Sequence, residues 1–126
     1  MKANKYLVII AMLFILPLFV QTAKAAEPSV AVLCYHDVAD KVANEWTVTP
    51  KNLREQFEYL RRNGYTPISL ATYQAAIRGE AVLPEKPVML TFDDGYISFY
   101  TKIFPLLQEY QYPAMMALVT SWLGYP

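Results

Sequence analysis

Pro87-Val88-Met89-Leu90-Thr91-Phe92-Asp93-Asp94-Gly95 is the stretch that decides the fold class of this chain. Val88, Met89, Leu90 and Phe92 are apolar without alternation, as in a strand covered on both faces. Pro87 stands at its edge, where a missing N–H costs least. Two carboxylates and a glycine close the strand. Residues 96–110 then look helical, with Pro105 starting a new turn or helix. Strand, sharp turn and helix make the repeating unit of a parallel α/β sheet. In such folds chemistry gathers at the carboxyl ends of the strands.

Upstream, Val30 to Tyr35 is a second continuous apolar run and predicts a strand buried on both faces. Asp37 to Glu45 is polar and reads as a loop. Thr49-Pro50 predicts a helix start, with a hydroxyl cap followed by proline at the first helical position. Leu53, Phe57 and Leu60 form its apolar stripe, and Asn63-Gly64 its stop. Tyr65 to Ser69 is a short strand. Ser69 caps a second helix running to Arg78, with Leu70, Tyr73 and Ile77 on one face. Downstream, Tyr112-Pro113 breaks the helix and Ala114 to Thr120 is a further buried strand. The order β-α-β-α-β-α-β fits a small open sheet, and equally half of a (β/α) barrel, which takes about 250 residues in full.

Adjacent carboxylates at a strand end have a use beyond an ordinary Asp-Gly turn. Their side chains diverge, so one can hold a divalent cation while the other faces water bound there and takes its proton. Gly95 permits the sharp turn and close backbone approach. His36 ends the first strand and reaches the same mouth, as a hydrogen-bonding group or as part of a substrate pocket. Tyr96 follows Gly95 and is the aromatic residue placed to touch substrate, whereas Phe99 and Tyr100 pack a helix onto the sheet. Met89, Met115 and Met116 read as core, and Cys34, the single cysteine, as a small buried hydrophobe.

Thr91-Phe92-Asp93-Asp94-Gly95 resembles the first signature of the NodB-type polysaccharide deacetylases, carbohydrate esterase family four. Leu33-Cys34-Tyr35-His36-Asp37-Val38 is similar to that family's first strand. Trp46-Thr47-Val48-Thr49-Pro50, with Phe57, Leu60 and Gly64-Tyr65, is similar to the branch that de-N-acetylates poly-β-1,6-N-acetylglucosamine during biofilm export. The resemblance covers roughly residues 29–122. It implies Asp93 as catalytic base and Asp94 as metal ligand, while His36 and Tyr96 are placed in the substrate pocket by their positions at the strand end and beside Gly95. It also implies a divalent cation of the zinc, cobalt or nickel class, completed by two histidines that this sequence lacks, since His36 is its only one. The implied fold is α/β, the N-terminal half of a distorted (β/α) barrel, truncated. On that reading the chain alone is inactive, and Val88 to Leu90 and Ala117 to Val119 are open strand edges. The alternatives are the same chemistry on peptidoglycan or chitin, phosphoryl transfer by the aspartate pair, or a non-catalytic remnant.

The opening residues read differently from the rest. Lys2 and Lys5 precede an apolar run, Tyr6 to Val20, that Pro17 interrupts, and Ala23-Lys24-Ala25 follows. This order predicts a cleaved signal peptide over residues 1–25 and a partial deacetylase domain over 26–126, hence a periplasmic or otherwise exported protein with no stable membrane span after cleavage. Removing residues 1–25 takes three lysines (Lys2, Lys5, Lys24) from the 11 Lys and Arg and leaves all 11 Asp and Glu, a net charge of −3. A mildly acidic chain without a basic run is a poor partner for nucleic acid and suits a neutral or cationic polymer, here an N-acetylglucosamine polysaccharide.

Overall fold

The structure is a computed structural model and describes residues 29–124. Its elements run β1 (Ala31–Tyr35), β2 (Asp37–Val38), β3 (Thr47–Val48), α1 (Pro50–Arg62), β4 (Thr66–Pro67), α2 (Leu70–Ile77) and β5 (Pro87–Asp94). A π-helical turn, Phe99–Ile103, then leads directly into α3 (Phe104–Tyr110), followed by β6 (Met115–Leu118) and a short 3-10 turn at Thr120–Trp122. The signal-peptide reading of residues 1–25 lies outside the described residues. Among those described, no helix is long and apolar enough to cross a membrane.

Local chemistry explains the helices. Thr49 accepts a hydrogen bond from the Asn52 amide at 3.1 Å, and Pro50 takes the first helical position of α1. Ser69 does the same for α2, accepting from the Thr72 amide at 3.1 Å. Each cap satisfies an amide that the helix leaves without an internal partner. Pro105 has no N–H to give, and the helix meets it with a wider turn: the Phe104 amide bonds back to the Phe99 carbonyl, one residue further than in an α-helix. Gln111, in the left-handed region at φ 55°, then ends α3.

All strand pairs are parallel, and β5 is the centre of the main sheet. β1 runs along one side, from Ala31 opposite Val88 to Tyr35 opposite Phe92. The other side is divided between two short strands. β4 pairs at the start of β5, with Pro67 opposite Val88, and β6 at its end, with Thr91 opposite Met115 and Asp94 opposite Leu118. β2 and β3 form a separate two-residue ladder. Period-two alternation sends Val88, Leu90, Phe92 and Tyr35 to the face covered by helices. There they pack with Leu53, Phe57 and Leu60 of α1 and with Ile103, Leu106 and Leu107 leading through α3.

Several expectations need correction. Val88 to Leu90 is no open edge: β1 flanks it along its length, β4 also pairs Val88, and all three residues are buried. The open edges belong to β1 and β6, which each pair only with β5 among the described residues. The two outer strands are also not buried on both faces. Ala31, Val32 and Cys34 are exposed, as are Ala117 and Leu118, and Met115 and Met116 are only partly covered. The α2 stripe is likewise uncovered, with no buried residue in that helix.

Candidate active site

Tyr35 opposite Phe92 is the last ladder pair between β1 and β5. One step further along each strand lie His36 and Asp93. Alternation also puts Cys34, His36, Thr91 and Asp93 on one face, the face turned away from the helices. The side chains meet as this register requires. The Cys34 thiol donates to Asp93 Oδ2 at 3.2 Å, and one ligand atom from each of Cys34, His36 and Asp93 lies within 4.8 Å of the others. The thiol was expected in the core, yet it is exposed and faces the site. Partial burial, and then the hydrogen bond to the Asp93 carboxylate, push it above the ordinary cysteine range and keep it a donor.

Asp94 leaves the strand direction. Its φ is 72°, in the left-handed region where aspartate is among the few side chains tolerated. Gly95 follows at φ 78°, and a Cβ there would lie 2.7 Å from Leu118 Cδ2 on β6. Two successive left-handed residues thus turn Asp94 away from Asp93 and bring β6 against the turn. Asp94 instead lines a polar cleft of about 370 Å³ with His36, Asp37, Ala43, Asn44, Trp46, Thr47 and Tyr96. His36 therefore borders both the thiol–carboxylate cluster and the cleft. Tyr96 stands on the cleft wall. Phe99 packs edge-on against Phe92, their ring centres 5.4 Å apart, whereas Tyr100 is exposed and packs nothing onto the sheet.

The far wall comes from the loop between β1 and α1. Its side-chain fastenings are polar. Ser98 Oγ donates to Asp37 Oδ1 at 2.7 Å and accepts from the Val38 amide at 3.3 Å. Lys102 pairs with Asp40 at 2.7 Å. Asn44 Oδ1 accepts from the Trp46 amide at 2.9 Å and the Thr47 hydroxyl at 3.0 Å, an Asx turn. Trp46 is 58% exposed, and its ring centre lies 5.0 Å from that of His36. An exposed indole beside an imidazole gives the cleft an apolar surface on which a sugar ring can stack. Sequence reasoning missed Cys34, Trp46 and Asn44 as site residues. The two-residue spacing of Cys34 and His36 carried the first signal, and Trp46 stood in the segment quoted for the family resemblance without a role; nothing in the loop's sequence announced Asn44.

A family model described as polysaccharide deacetylase matches residues 80–126, which include the whole of β5 and both aspartates. A poly-β-1,6-N-acetyl-D-glucosamine N-deacetylase of Escherichia coli (strain K12) is 51% identical over 96 residues, covering 75% of this chain and 14% of that protein. Residues 80–126 match the polysaccharide deacetylase family. Solved deacetylase structures share its fold. A de-N-acetylase from Aggregatibacter actinomycetemcomitans superposes with a TM-score of 0.73 at 40% identity, over 77% of this chain and 40% of that one. IcaB from Ammonifex degensii does so with 0.68 at 29% identity, over 75% and 40%. The chain thus spans 14% of the length of the curated relative and about two fifths of the solved ones.

Deacetylases of this family are divalent-metal proteins, so the donors present can be tested against such an ion. An aspartate with two histidines is not composed here. His36 is the single histidine, and Asp94 does not belong to the one three-donor group among the described residues, which is Cys34, His36 and Asp93. The residues present do not fit the implied set.

Proposed function

We propose that the carboxyl end of β5 serves the hydrolysis of N-acetyl groups on a glucosamine polymer, poly-β-1,6-N-acetylglucosamine of a biofilm matrix, in an exported protein. The observation carrying this reading is the divergence of Asp93 and Asp94 at the end of the central strand. One carboxylate faces a hydrogen-bond donor and the other a polar, aromatic-walled cleft. The printed name of the Escherichia coli relative supports the choice of glycan.

In this reading Asp93 is the general base. It takes a proton from the water that attacks the acetyl carbonyl carbon, the C–N bond breaks, and the amine departs with a proton while acetate forms. The cysteine hydrogen bond fixes which carboxylate oxygen is occupied and leaves the other free. Asp94 is the carboxylate that the family pattern assigns to the cation. Trp46 and Tyr96 hold the sugar ring, and His36 supports the ring of Trp46. The chain of residues 26–126 alone is expected to release no acetate.

The test uses a form of the protein spanning the full length of its relatives, assayed for free amines on N-acetylglucosamine oligomers. Asp93→Asn should lower acetate release about 10²- to 10⁴-fold with bound metal unchanged. Asp94→Asn should lose both metal and activity. Equal metal loss in the two variants would reverse the assignment, and preferred turnover of chitin or peptidoglycan oligomers would change the glycan.

A further inference from the structure

The cluster of Cys34, His36 and Asp93 shares no residue with the cation set that the family pattern implies, and it has a different donor chemistry. We propose that these three side chains form a separate site for a thiophilic divalent cation, of which zinc is the physiological example, and that its occupancy silences the enzyme.

The geometry is close to what such an ion requires. A tetrahedral zinc ion holds sulfur at about 2.3 Å and carboxylate oxygen at about 2.0 Å, which separates these two atoms by about 3.5 Å. Cys34 Sγ and Asp93 Oδ2 are already 3.2 Å apart. A rotamer adjustment of a few tenths of an ångström exchanges the shared proton for the ion. The thiol proton leaves to solvent as the S–metal bond forms, so binding releases one proton and needs no oxidant or reductant. The imidazole of His36, one ladder step along β1, supplies the nitrogen, and all three donor atoms lie within 4.8 Å of one another. Thiolate, imidazole and carboxylate together favour zinc, cadmium and cobalt over magnesium or calcium. The thiol is exposed and the other two side chains are half-buried, so an ion can enter from solvent. Three protein ligands leave a fourth position for water. The site is anchored to a parallel ladder, and both strands bring their donors on one face.

The consequence for catalysis rests on the reading of Asp93 as base. A carboxylate bound to a cation has given up the lone pair that would take the water proton. Zinc in excess would then inhibit by occupying Cys34, His36 and Asp93, and the inhibition would depend on a residue outside the acid pair.

The binding is tested on the 126-residue chain itself, by titration with cobalt(II) and cadmium(II). Thiolate-to-metal charge-transfer absorption in the near ultraviolet should rise to one equivalent, with release of one proton and protection of Cys34 from iodoacetamide. Cys34→Ser should abolish the absorption, and His36→Ala and Asp93→Asn should each weaken binding at least tenfold. Asp94→Asn should leave it intact, with far-ultraviolet circular dichroism confirming that each variant keeps its fold. No absorption at one equivalent would overturn the proposal. So would absorption that survives His36→Ala and Asp93→Asn, a lone surface thiol, and so would equal loss in Asp94→Asn. The regulatory step is read separately in the full-length form, each variant against its own rate without added zinc: excess zinc should lower the wild-type rate and leave the Cys34→Ala rate, whatever its starting value, unchanged. A site that binds cobalt but leaves activity untouched would refute the silencing, or the role of Asp93, while the binding stands.

Discussion

The phenol of Tyr35 donates to Gln56 Oε1 at 2.8 Å and stacks on Phe92 with ring centres 5.1 Å apart. Burial pushes it up to about 12. An unfolded tyrosine titrates near 10, so the native state resists losing this proton. The stabilisation is therefore complete below pH 10 and is lost as pH rises from about 10 to about 12, an effect on the order of 2 kcal/mol. Chemical denaturation as a function of pH should show that alkaline decline, and Tyr35→Phe should reduce it while costing about 1 kcal/mol at neutral pH through the lost hydrogen bond. An unchanged decline in the variant would assign it to another group. That Tyr35 ends a strand was legible in the apolar run from Val30; which face its ring takes was not. The exposure of Cys34 was not legible, because an apolar run looks the same whether or not another element covers its second face.

α1 and α2 show what periodicity can and cannot tell. Both carry the same capping chemistry, and both stripes were visible in the sequence. Phe57 is fully buried, ringed by Tyr110 and Tyr112 at 5.5 and 5.3 Å, whereas Ile77 on α2 is 54% exposed. The difference lies in what faces each helix, and that is decided by residues about 50 positions away. Phe57→Ala should cost about 3–5 kcal/mol by leaving a cavity in the core. Ile77→Ala should change stability by less than about 0.5 kcal/mol, as at an exposed position without special contacts. Denaturant midpoints of the two variants check this directly, and comparable losses would mean that α2 has a cover on its outer face. The aspartate pair was legible for a related reason: a glycine and two acids at a strand end are a local signal. Asn44 was not, since the loop that carries it is fastened through Asp37 and Asp40 to Ser98 and Lys102, about 60 positions along the chain.

On the scale of the molecule, the sequence conveyed the number and direction of the main-sheet strands, but neither their order nor the β2–β3 ladder, whose Asp37–Val38 falls where a loop was expected. Four strands in chain order suggest neighbours in chain order, yet β1 lies beside β5 because β4 is only two residues long and pairs solely with its start. The free edge of β1 borders a groove of about 550 Å³ lined by Val32, Leu33, Tyr59 and Tyr65 among others. Unpaired strand edges beside apolar surface recruit other chains. The described residues expressed alone should self-associate at micromolar concentration, and Val32→Lys should return them to monomer in sedimentation velocity; association that persists would place the contact elsewhere. The 59 positions separating Cys34 from Asp93 also have a kinetic meaning. Pairing β1 with β5 closes a loop of that length, and the closure carries its entropic penalty before any ladder bond forms. The thiol, the imidazole and the carboxylate consequently have no local route to one another: whatever slows that one long-range pairing delays the whole cluster.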